Sequence, residues 1–592
     1  MNKTPEKVLV LGDGVSAFLA VVRSLGRQGI EVHVAWCQPN CPSLRSRYVK
    51  RFHQLPFCDA EGSWVGQLSS LLQAERYDLV LPTNEQSTRA LFMHRQQLEK
   101  ASRLYLMEEP AFDVVFDKVK SGELAETLGL RVPKTQIVSS IDQLDGLESR
   151  FAYPLVLKPV SSYDAKSPLE RRNVVKAYDR PELDRQAQRM LGAGPLAVQE
   201  NFIGRGVGVE LLVDRGEILL AFQHERVHQP LRGGASSYRK SVPLDAELLE
   251  ASRRFVAALD YTGVIMIEFL VNESGTDWRF VEANGRFWGS LPLAIAAGAD
   301  FPFALYRLKV HGDRQFHQGY RTGLYCRNLL SDMQWFVQNL RANRNDPTLA
   351  TLSPVSVLLE AKHFLMGRER FDTFTFDDPL PAIAEPLKYA RRTLSRLGLR
   401  ARQAWASLPG VRRRQSVQAR EMLQRAHRVV FLCWGNICRS PFAAAYARQV
   451  WPSNLEISSR GLHYQQGRTS PADAVEAASL CHIVLHEHRS SLISAEEVAQ
   501  SDTIICFDEL IRKEFLDRYP QAAAKTVRFG MLRPRGPVTV EDPFGGNLSD
   551  FSNAYAQIAA TIDVSRELFA APSARAGMSQ DPPATVAGCG KT

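Results

Sequence analysis

The sequence predicts a multidomain protein of mixed α/β and α+β class. Three patterns support this prediction: an apolar strand, a glycine turn and a helix near the N-terminus; alternating apolar residues in several strands between positions 154 and 289; and a new strand, loop and helix that begin at Arg428. A chain of 592 residues is also too long for a single hydrophobic core. We therefore expect several separate domains.

The first pattern predicts a parallel αβ domain. The apolar run from Val8 to Leu11 leads into a glycine turn and a helix, and a later strand from Asp78 to Pro82 continues the alternation. The turn fits the loose G-x-G-x-x-A form of a dinucleotide fingerprint, which needs an acidic residue at the end of the second strand to hold a ribose. That strand ends at Ala35, Trp36 and Cys37, so the sequence argues against NAD binding.

The second pattern predicts a mixed sheet that is largely antiparallel and covered on one face. Apolar residues alternate with polar ones in several of its strands, as expected where one face is buried and the other is open. After about residue 313 the sequence favours helices. The predicted strands cover residues 154–160, 197–204, 207–213, 217–227, 264–271 and 278–289.

Two lysines and a group of oxygen-bearing side chains follow one another along this region. Lys118 precedes a predicted helix, and Lys158 lies on a predicted strand. Glu282 and Asn284 alternate on another strand, so their side chains share a face. Hard oxygen ligands that converge in this way suit a Mg²⁺ ion that is also held by phosphate oxygens.

With these motifs, roughly the first 310 residues resemble the ATP-grasp ligases, in particular the carboxylate-amine ligase branch. The resemblance implies a pre-ATP-grasp domain over residues 1–110 and an ATP-grasp domain over residues 111–312. It also implies that ATP phosphorylates a small-molecule carboxylate and that an amine attacks the acyl phosphate, with ATP and Mg²⁺ required. The residues that it implies are Lys118, Lys158, Gln199, Glu200, Phe202 and Ile203 for ATP; Glu268, Glu282 and Asn284 for the metal; Arg286 for catalysis at the acyl phosphate; and Arg226, Gly233 and Gly234 for the substrate.

The third pattern predicts a strand, an anion-binding loop and a helix. The loop runs from Cys433 to Ser440, and the helix is predicted to start at Pro441 with Ser440 as its N-cap. Loop amides and the helix N-terminus would point at one spot, and the planar guanidinium of Arg439 can hold two phosphate oxygens. The same positive field stabilises a thiolate, so Cys433 is predicted to attack phosphorus.

This loop resembles that of the low-molecular-weight protein tyrosine phosphatases, and Asp542 before Pro543 matches the family's second motif. The resemblance covers about residues 426–571 and implies an α/β domain with a parallel sheet, a phosphocysteine intermediate, a phosphotyrosine protein as substrate and no cofactor. Asp542 would be the general acid, and a reversible disulfide between Cys433 and Cys438 would protect the nucleophile. The loop comprises Cys433, Trp434, Gly435, Asn436, Ile437, Cys438, Arg439 and Ser440.

Two departures from that family concern the substrate. Phe544 is followed by Gly545, where family members often have a second aromatic residue, and Arg460 interrupts the more usual Ser-Ala-Gly segment. Phosphomonoester chemistry is therefore a firmer prediction than tyrosine specificity. Arsenate reductases share the loop but relay electrons through two further cysteines that lie close together. Cys481 and Cys506 are 25 residues apart, which argues against such a relay.

The formal charge of +9 comes from one segment. Twelve lysines and arginines but one acidic residue lie between Lys388 and Arg428, so the charge is local and we expect no nucleic-acid partner. We interpret residues 313–425 as a helical region and a basic linker, which is either solvated or in contact with an anionic membrane surface. Residues 572–592 are predicted to be a disordered tail.

Nine scattered cysteines and the lack of a long apolar run predict a cytoplasmic protein with reduced thiols. Cys37, Cys41, His53 and Cys58 match no common zinc-ligand spacing, so no zinc site is predicted there. Three functional hypotheses stay open. The chain is a bifunctional ligase and phosphatase, or a phosphatase that is regulated by a non-catalytic ATP-binding or metabolite-binding module. The third hypothesis is a signalling phosphatase that its basic linker tethers to a partner or a membrane.

Overall fold

The computed structural model describes residues 6–55, 63–160, 174–191, 194–231, 234–342, 349, 351–463, 466–546 and 548–569. Three predictions therefore lie outside the described residues: Gly233, Cys58 and the tail over residues 572–592. The chain forms two compact units, Met1–Tyr389 and Ala390–Thr592. No helix among the described residues combines the length and the apolar character that crossing a membrane requires.

The first unit begins with the predicted parallel sheet. Its elements are β1 (Lys7–Leu11), α1 (Ala17–Arg27), β2 (Glu31–Ala35), β3 (Val49–His53), α2 (Ser63–Glu75), β4 (Leu79–Pro82), α3 (Glu85–Met93) and α4 (Arg95–Leu98). The four strands are parallel in the order β3-β2-β1-β4. Val8 and Val32 belong to the core on the α1 face, whereas Leu9 and Leu11 pack with Leu68 of α2 on the other face.

A small antiparallel sheet follows, in the order β5-β8-β6-β7. In β6 the even positions are half-buried and the odd positions are buried, so Lys158 lies on the less covered face. This part of the chain contains α5 (Glu109–Val115), α6 (Lys118–Thr127), β5 (Thr135–Val138), β6 (Leu155–Pro159), β7 (Val175–Ala177), α7 (Arg180–Leu191) and β8 (Leu196–Glu200).

The largest sheet has seven strands in the order β13-β12-β9-β10-β11-β14-β15. All neighbours are antiparallel except β14 and β15, which confirms the predicted, largely antiparallel sheet. Its part of the chain contains β9 (Arg205–Asp214), β10 (Glu217–His228), β11 (Tyr238–Val242), α8 (Ala246–Ala258), β12 (Gly263–Val271), β13 (Trp278–Asn284), α9 (Leu291–Ala297), α10 (Phe301–Tyr306), β14 (Tyr325–Arg327), α11 (Leu329–Arg341), α12 (Pro354–Leu359), α13 (Ala361–Leu365) and β15 (Glu369–Phe371).

The segment after residue 313 contains the predicted helices and, in addition, two short strands that the sequence did not predict. Strands β14 and β15 extend the large sheet by two strands. Each has three residues, which is too short for an apolar alternation to be recognised in the sequence.

The second unit contains the predicted parallel sheet, in the order β17-β16-β18-β19. Strand β16 is central and buried apart from its first residue. The remaining elements of the chain are α14 (Leu380–Ser407), α15 (Pro409–Arg425), β16 (Arg428–Cys433), α16 (Arg439–Val450), β17 (Glu456–Gly461), α17 (Ala472–Ser479), α18 (Ala495–Gln500), β18 (Thr503–Cys506), α19 (Glu509–Arg518), β19 (Thr526–Arg528) and α20 (Leu548–Arg566).

The basic segment is helical, and α15 packs on the second unit. Ala419 and Leu423 are buried in the core of that unit. Arg412 donates to the carbonyl oxygens of Pro534 and Gly536 at 2.9 and 2.7 Å, and Arg420 donates to that of Leu532 at 3.1 Å. Two arginines of the predicted basic linker therefore bond backbone carbonyl oxygens of the folded unit.

Candidate active sites

Cys433 is the last residue of β16, at the carboxyl end of the central strand. Open parallel sheets bind their ligands at this end. The side chain is 3% exposed, and its sulfur accepts a hydrogen bond from the backbone N–H of Asn436 at 3.2 Å. The hydroxyl of Ser440 lies 3.0 Å from the same sulfur. Both contacts are of a kind that stabilises a thiolate.

Helix α16 starts earlier than predicted. Its first residue is Arg439 and its N-cap is Cys438, whose side chain makes no capping hydrogen bond. The prediction that Ser440 caps the helix is wrong, because its hydroxyl faces Cys433 instead. Pro441 consequently lies in the first turn, where its missing N–H leaves no intrahelical hydrogen bond unmade.

Asn436 holds the loop in shape. Its φ of 52° lies in the left-handed region, which asparagine tolerates better than most residues. The side-chain Nδ2 donates to the hydroxyls of Ser440 and Ser459, both at 3.0 Å, and Oδ1 accepts from the N–H of Ser491 at 2.8 Å. The side chain is fully buried. This one amide therefore fixes the backbone around Cys433.

Arg439 and Asp542, which are 103 positions apart in the sequence, form an ion pair. Arg439 is 2% exposed; its Nη2 donates to Asp542 Oδ2 at 2.7 Å, and its Nη1 donates to Asp508 Oδ2 at 2.9 Å. Burial opposes the charge, but the negative groups around the guanidinium, Asp542 first, raise the pKa of Arg439. The buried Nε has no hydrogen-bond partner among the described residues, so a donor stays available for an anion.

The other loop residues have different surroundings. Burial raises the pKa of the Cys438 thiol, and both loop cysteines are free thiols, so the implied disulfide stays a prediction. Ile437 is buried, and the carbonyl of Gly435 accepts a hydrogen bond from Arg468 at 2.8 Å. Trp434 is 40% exposed, which leaves its ring available to a substrate.

Asp508 is the main residue of this site that sequence reasoning missed. It follows β18, which pairs in parallel with β16, so its side chain reaches the same edge of the sheet as Cys433. Its Oδ1 also accepts from the N–H of Ile511 and thereby caps α19. A polar residue two positions after a buried parallel strand was the signal that could have identified it.

A second candidate site lies in the first unit and contains three of the predicted side chains on or next to β13. Asn284 Nδ2 donates to Glu282 Oε1 at 3.1 Å, and Arg286 Nη2 donates to Asn284 Oδ1 at 3.0 Å. Lys118 Nζ lies 3.6 Å from Glu282 Oε2. All four residues line one pocket, together with Ser121, whose buried hydroxyl has no partner among the described residues.

Charges at this second site act on one another. Burial lowers the pKa of Lys158 to about 8, although Glu282 raises it. Burial also opposes ionisation of Glu282. The positive charge of Lys118, the hydrogen bond from the Asn284 amide and the charges of Lys158 and Arg286 nevertheless hold the pKa of Glu282 below its usual range. The carboxylate is therefore ionised at neutral pH, and the lysines beside it compensate its charge.

Glu268 and Arg226 form an ion pair, although the sequence assigned them to metal and substrate. Arg226 Nη2 donates to Glu268 Oε2 at 2.6 Å, and its Nη1 lies 3.5 Å from the carbonyl of Gly234. Glu268 is also the register partner of Glu282, so the two acids are neighbours across β12 and β13. A Cβ at Gly206 would lie 2.6 Å from Arg226 Cδ, so glycine makes room for this arginine.

The predicted nucleotide hinge lies on and after β8, which pairs with β6. Gln199 Nε2 donates to the hydroxyl of Thr135 at 2.8 Å, and Glu200 accepts from the backbone N–H of Lys134 at 3.1 Å. Ile203 is 58% exposed. The arginine that sequence reasoning missed here is Arg279. Its Nε lies 3.7 Å from Glu200 Oε1, and its guanidinium lies 4.7 Å from the centre of the Phe202 ring.

Comparison with known proteins gives a family match for one part of the chain. Residues 428–571 match the family model described as low molecular weight phosphotyrosine protein phosphatase. A probable low molecular weight protein-tyrosine-phosphatase of Ralstonia nicotianae is 29% identical over 135 residues, which cover 23% of this chain and 90% of that protein. The low molecular weight phosphotyrosine protein phosphatase of Sus scrofa is 31% identical over 137 residues, which cover 22% of this chain and 87% of that protein.

A solved structure is similar to a longer part of the chain. N5-carboxyaminoimidazole synthetase from Staphylococcus aureus, complexed with ADP, aligns with 62% of this chain and 98% of its own, at 16% identity and a TM-score of 0.45.

Proposed function

Because the chain belongs, through residues 428–571, to the low molecular weight phosphotyrosine protein phosphatase family, we propose that its second unit hydrolyses phosphate monoesters of phosphotyrosine proteins. The observation that carries this proposal is the buried Arg439 beside Cys433 and Asp542, whose Nε has no hydrogen-bond partner within the described part of the chain. A dianionic phosphate would bind that guanidinium and the loop amides.

The residues have separate tasks in the proposed reaction. The Cys433 thiolate attacks phosphorus, and the bond between phosphorus and the phenolic oxygen breaks as Asp542 gives that oxygen a proton. Asp542, now a carboxylate, then takes a proton from water as the water oxygen attacks the phosphocysteine. The products are a phenol and inorganic phosphate, and the thiolate is restored.

The test uses the full-length chain. Cys433→Ser should abolish hydrolysis of phosphotyrosine peptides, whereas Cys481→Ser, which changes a half-buried thiol outside the loop, should keep the wild-type rate. A covalent phosphoenzyme trapped by acid quench should appear in the wild type and be absent from Cys433→Ser. Hydrolysis that persists in Cys433→Ser would refute the proposal.

A second function is favoured by the cationic pocket of the first unit. Lys118, Lys158 and Arg286 lie near the Glu282 carboxylate, and such an arrangement suits a polyphosphate accompanied by a metal ion. We propose that this unit is an ATP-dependent ligase that forms an acyl phosphate from a small carboxylate and joins it to an amine. The chain would then be a bifunctional enzyme, and its cytoplasmic location stays a prediction.

The residues present fit Mg²⁺ with ATP. Glu282 offers an ionised carboxylate oxygen and Asn284 an amide oxygen, while the Ser121 hydroxyl is a buried polar group with no partner among the described residues. Glu268 would have to leave Arg226 to ligate the ion. When bound, the ion would neutralise phosphate charge. Arg286 would stabilise the negative charge that develops as the phosphoryl group moves.

An ADP-release screen of the full-length chain against pooled carboxylic acids and amines tests the ligase proposal. ADP formation that requires both an acid and an amine would support turnover. ATP binding without ADP formation, combined with a change in phosphatase rate, would instead support the regulatory hypothesis.

A further inference from the structure

A polar cluster lies on the α2 face of the first sheet and shares no residue with either candidate active site. His33 of β2 is 3% exposed, and His53 is the last residue of β3. Tyr77 lies between α2 and β4 and is 5% exposed, and Glu75 is the last residue of α2. Leu9, Leu11 and Leu68 belong to the hydrophobic core on this face, so the four polar side chains form a cluster beside an apolar core.

Three nitrogen and oxygen atoms meet at the centre of this cluster. His33 Nδ1 lies 3.1 Å from His53 Nε2, and the hydroxyl of Tyr77 lies 2.8 Å from the first nitrogen and 3.1 Å from the second. A carboxylate oxygen of Glu75 lies within 4.8 Å of one ring nitrogen of each histidine. Tetrahedral zinc with bonds of about 2.0–2.1 Å places its ligand atoms roughly 3.3 Å apart. The separation of the two nitrogens is close to this value.

The tautomer of His33 suits metal binding. Its Nε2 lies 2.9 Å from Glu31 Oε1, which is an acceptor, so Nε2 carries the proton and Nδ1 presents a lone pair to the cluster. A histidine whose second nitrogen is bonded to a carboxylate is the usual outer-shell arrangement of a zinc ligand.

The charge around the cluster is balanced by neighbours. Glu75 accepts from Lys7 Nζ at 2.9 Å through Oε2 and from Arg51 Nη1 at 2.7 Å through Oε1. Each Glu75 oxygen keeps further lone pairs for a metal, because an ionised carboxylate can accept about four bonds. Lys7 and Arg51 thus hold the carboxylate close to the two histidines.

We propose that His33, His53 and Glu75 form a three-ligand site for a divalent transition metal, with Zn²⁺ the ion that best matches the ligand set. Two imidazole nitrogens and one carboxylate oxygen are ligands that zinc accepts, and Mg²⁺ and Ca²⁺ prefer sites made of oxygen alone. The ion would replace the hydrogen bonds of Tyr77 to the two nitrogens and join β2, β3 and the end of α2.

The test is metal binding by the full-length chain after treatment with a chelator. Co²⁺ and Zn²⁺ are added separately, and the bound metal is measured by titration calorimetry and by elemental mass spectrometry after gel filtration. The Cys433→Ser background removes the reactive thiol as a competing ligand, and the Co²⁺ spectrum reveals any thiolate ligand by its charge-transfer band. We expect one ion per chain, a dissociation constant below about 1 µM and no thiolate band, as neutral imidazoles and a carboxylate require.

The variants separate ligands from neighbours. His53→Gln and Glu75→Gln should each weaken zinc binding at least tenfold, and Glu31→Gln should weaken it by about tenfold because it removes the outer-shell acceptor. His311→Gln, a change at a 43% exposed histidine, should bind as the wild type does.

Folding of each variant is checked by circular dichroism. If His53→Gln fails to fold, Glu75→Gln decides, since that side chain is 19% exposed and lies at a helix end. Zinc binding that is unchanged in His53→Gln or in the deciding Glu75→Gln, a thiolate band, or retention of zinc only at millimolar concentration would overturn the proposal.

Discussion

Asp542→Asn should slow hydrolysis through two effects of different size. The substitution removes the negative charge of the carboxylate whose Oδ2 accepts a hydrogen bond from Arg439 Nη2 at 2.7 Å. Asp542 is 45% exposed, so water screens this pair, and its loss should cost about 1 kcal/mol, or roughly fivefold in rate, for every substrate. The substitution also removes the proton donor, which is typically worth about 10²–10⁴ in rate, but only where the leaving oxygen is basic.

The assay compares two leaving groups on the same full-length protein. Phenyl phosphate releases a basic phenolate and needs the proton, whereas 2,4-dinitrophenyl phosphate releases a phenolate that is stable without one. We expect kcat/KM, which reports the steps up to phosphocysteine formation and not its later hydrolysis, to fall by about 10³ for the first substrate and by about fivefold for the second. The ratio of the two losses gives the contribution of proton transfer to the leaving oxygen.

Asp508→Asn is the matched control. Asp508 bonds the same guanidinium at 2.9 Å and is 24% exposed, but it lies on the Nη1 side and has no proposed role in proton transfer. Asparagine also preserves the cap of α19. Its losses should be equal for both substrates, of the order of tenfold. Equal losses in Asp542→Asn as well would refute the role of Asp542 as general acid and leave it a positioning residue for Arg439.

Three further predictions concern both units. Glu282→Gln should suppress acid- and amine-dependent ADP formation by at least about tenfold. The control variant Glu250→Gln, which changes an exposed residue, should keep the wild-type rate of ADP formation. Phosphatase activity should change less than about threefold in either variant. ATP affinity should fall as the pH rises through about 8, because Lys158 loses its proton there. The Lys158→Arg variant should show the same affinity from pH 7 to 9.5, because arginine stays charged over this range. Both affinities are measured by titration with a non-hydrolysable ATP analogue. Asn436→Ala should destabilise the second unit by about 3 kcal/mol and lower its unfolding midpoint by roughly 6–12 °C, whereas the exposed Asn454→Ala should leave the midpoint unchanged.

The residues of a contiguous motif could be predicted from the sequence, whereas their distant partners could not. Cys433, Asn436 and Arg439 lie within seven positions, and their spacing alone predicts that they converge. Asp508 is 69 positions from Arg439, and Ser491 is 55 from Asn436, so no local pattern connects them. Such contacts follow from the order of parallel strands, which a single sequence does not state.

The histidine cluster escaped sequence reasoning for the same reason. His33 and His53 are 20 positions apart, and Glu31 and Glu75 lie on different elements. Zinc motifs are recognised by short ligand spacings, which this arrangement lacks. Only the pairing of β2 with β3 brings the two rings together.

The start of α16 illustrates how a correct motif can still leave a side chain's role undetermined. Serine before proline fits an N-cap, and that fit predicts a hydroxyl bonded to a helix amide. If the helix began at Pro441, the hydroxyl of Ser440 would be occupied there and would be lost to Cys433. Starting at Arg439 places Ser440 in the first turn, where Asn436 Nδ2 donates to its oxygen and the hydroxyl lies 3.0 Å from the sulfur. The Ser440 hydroxyl therefore contacts the Cys433 sulfur, and the helix begins without a side-chain cap.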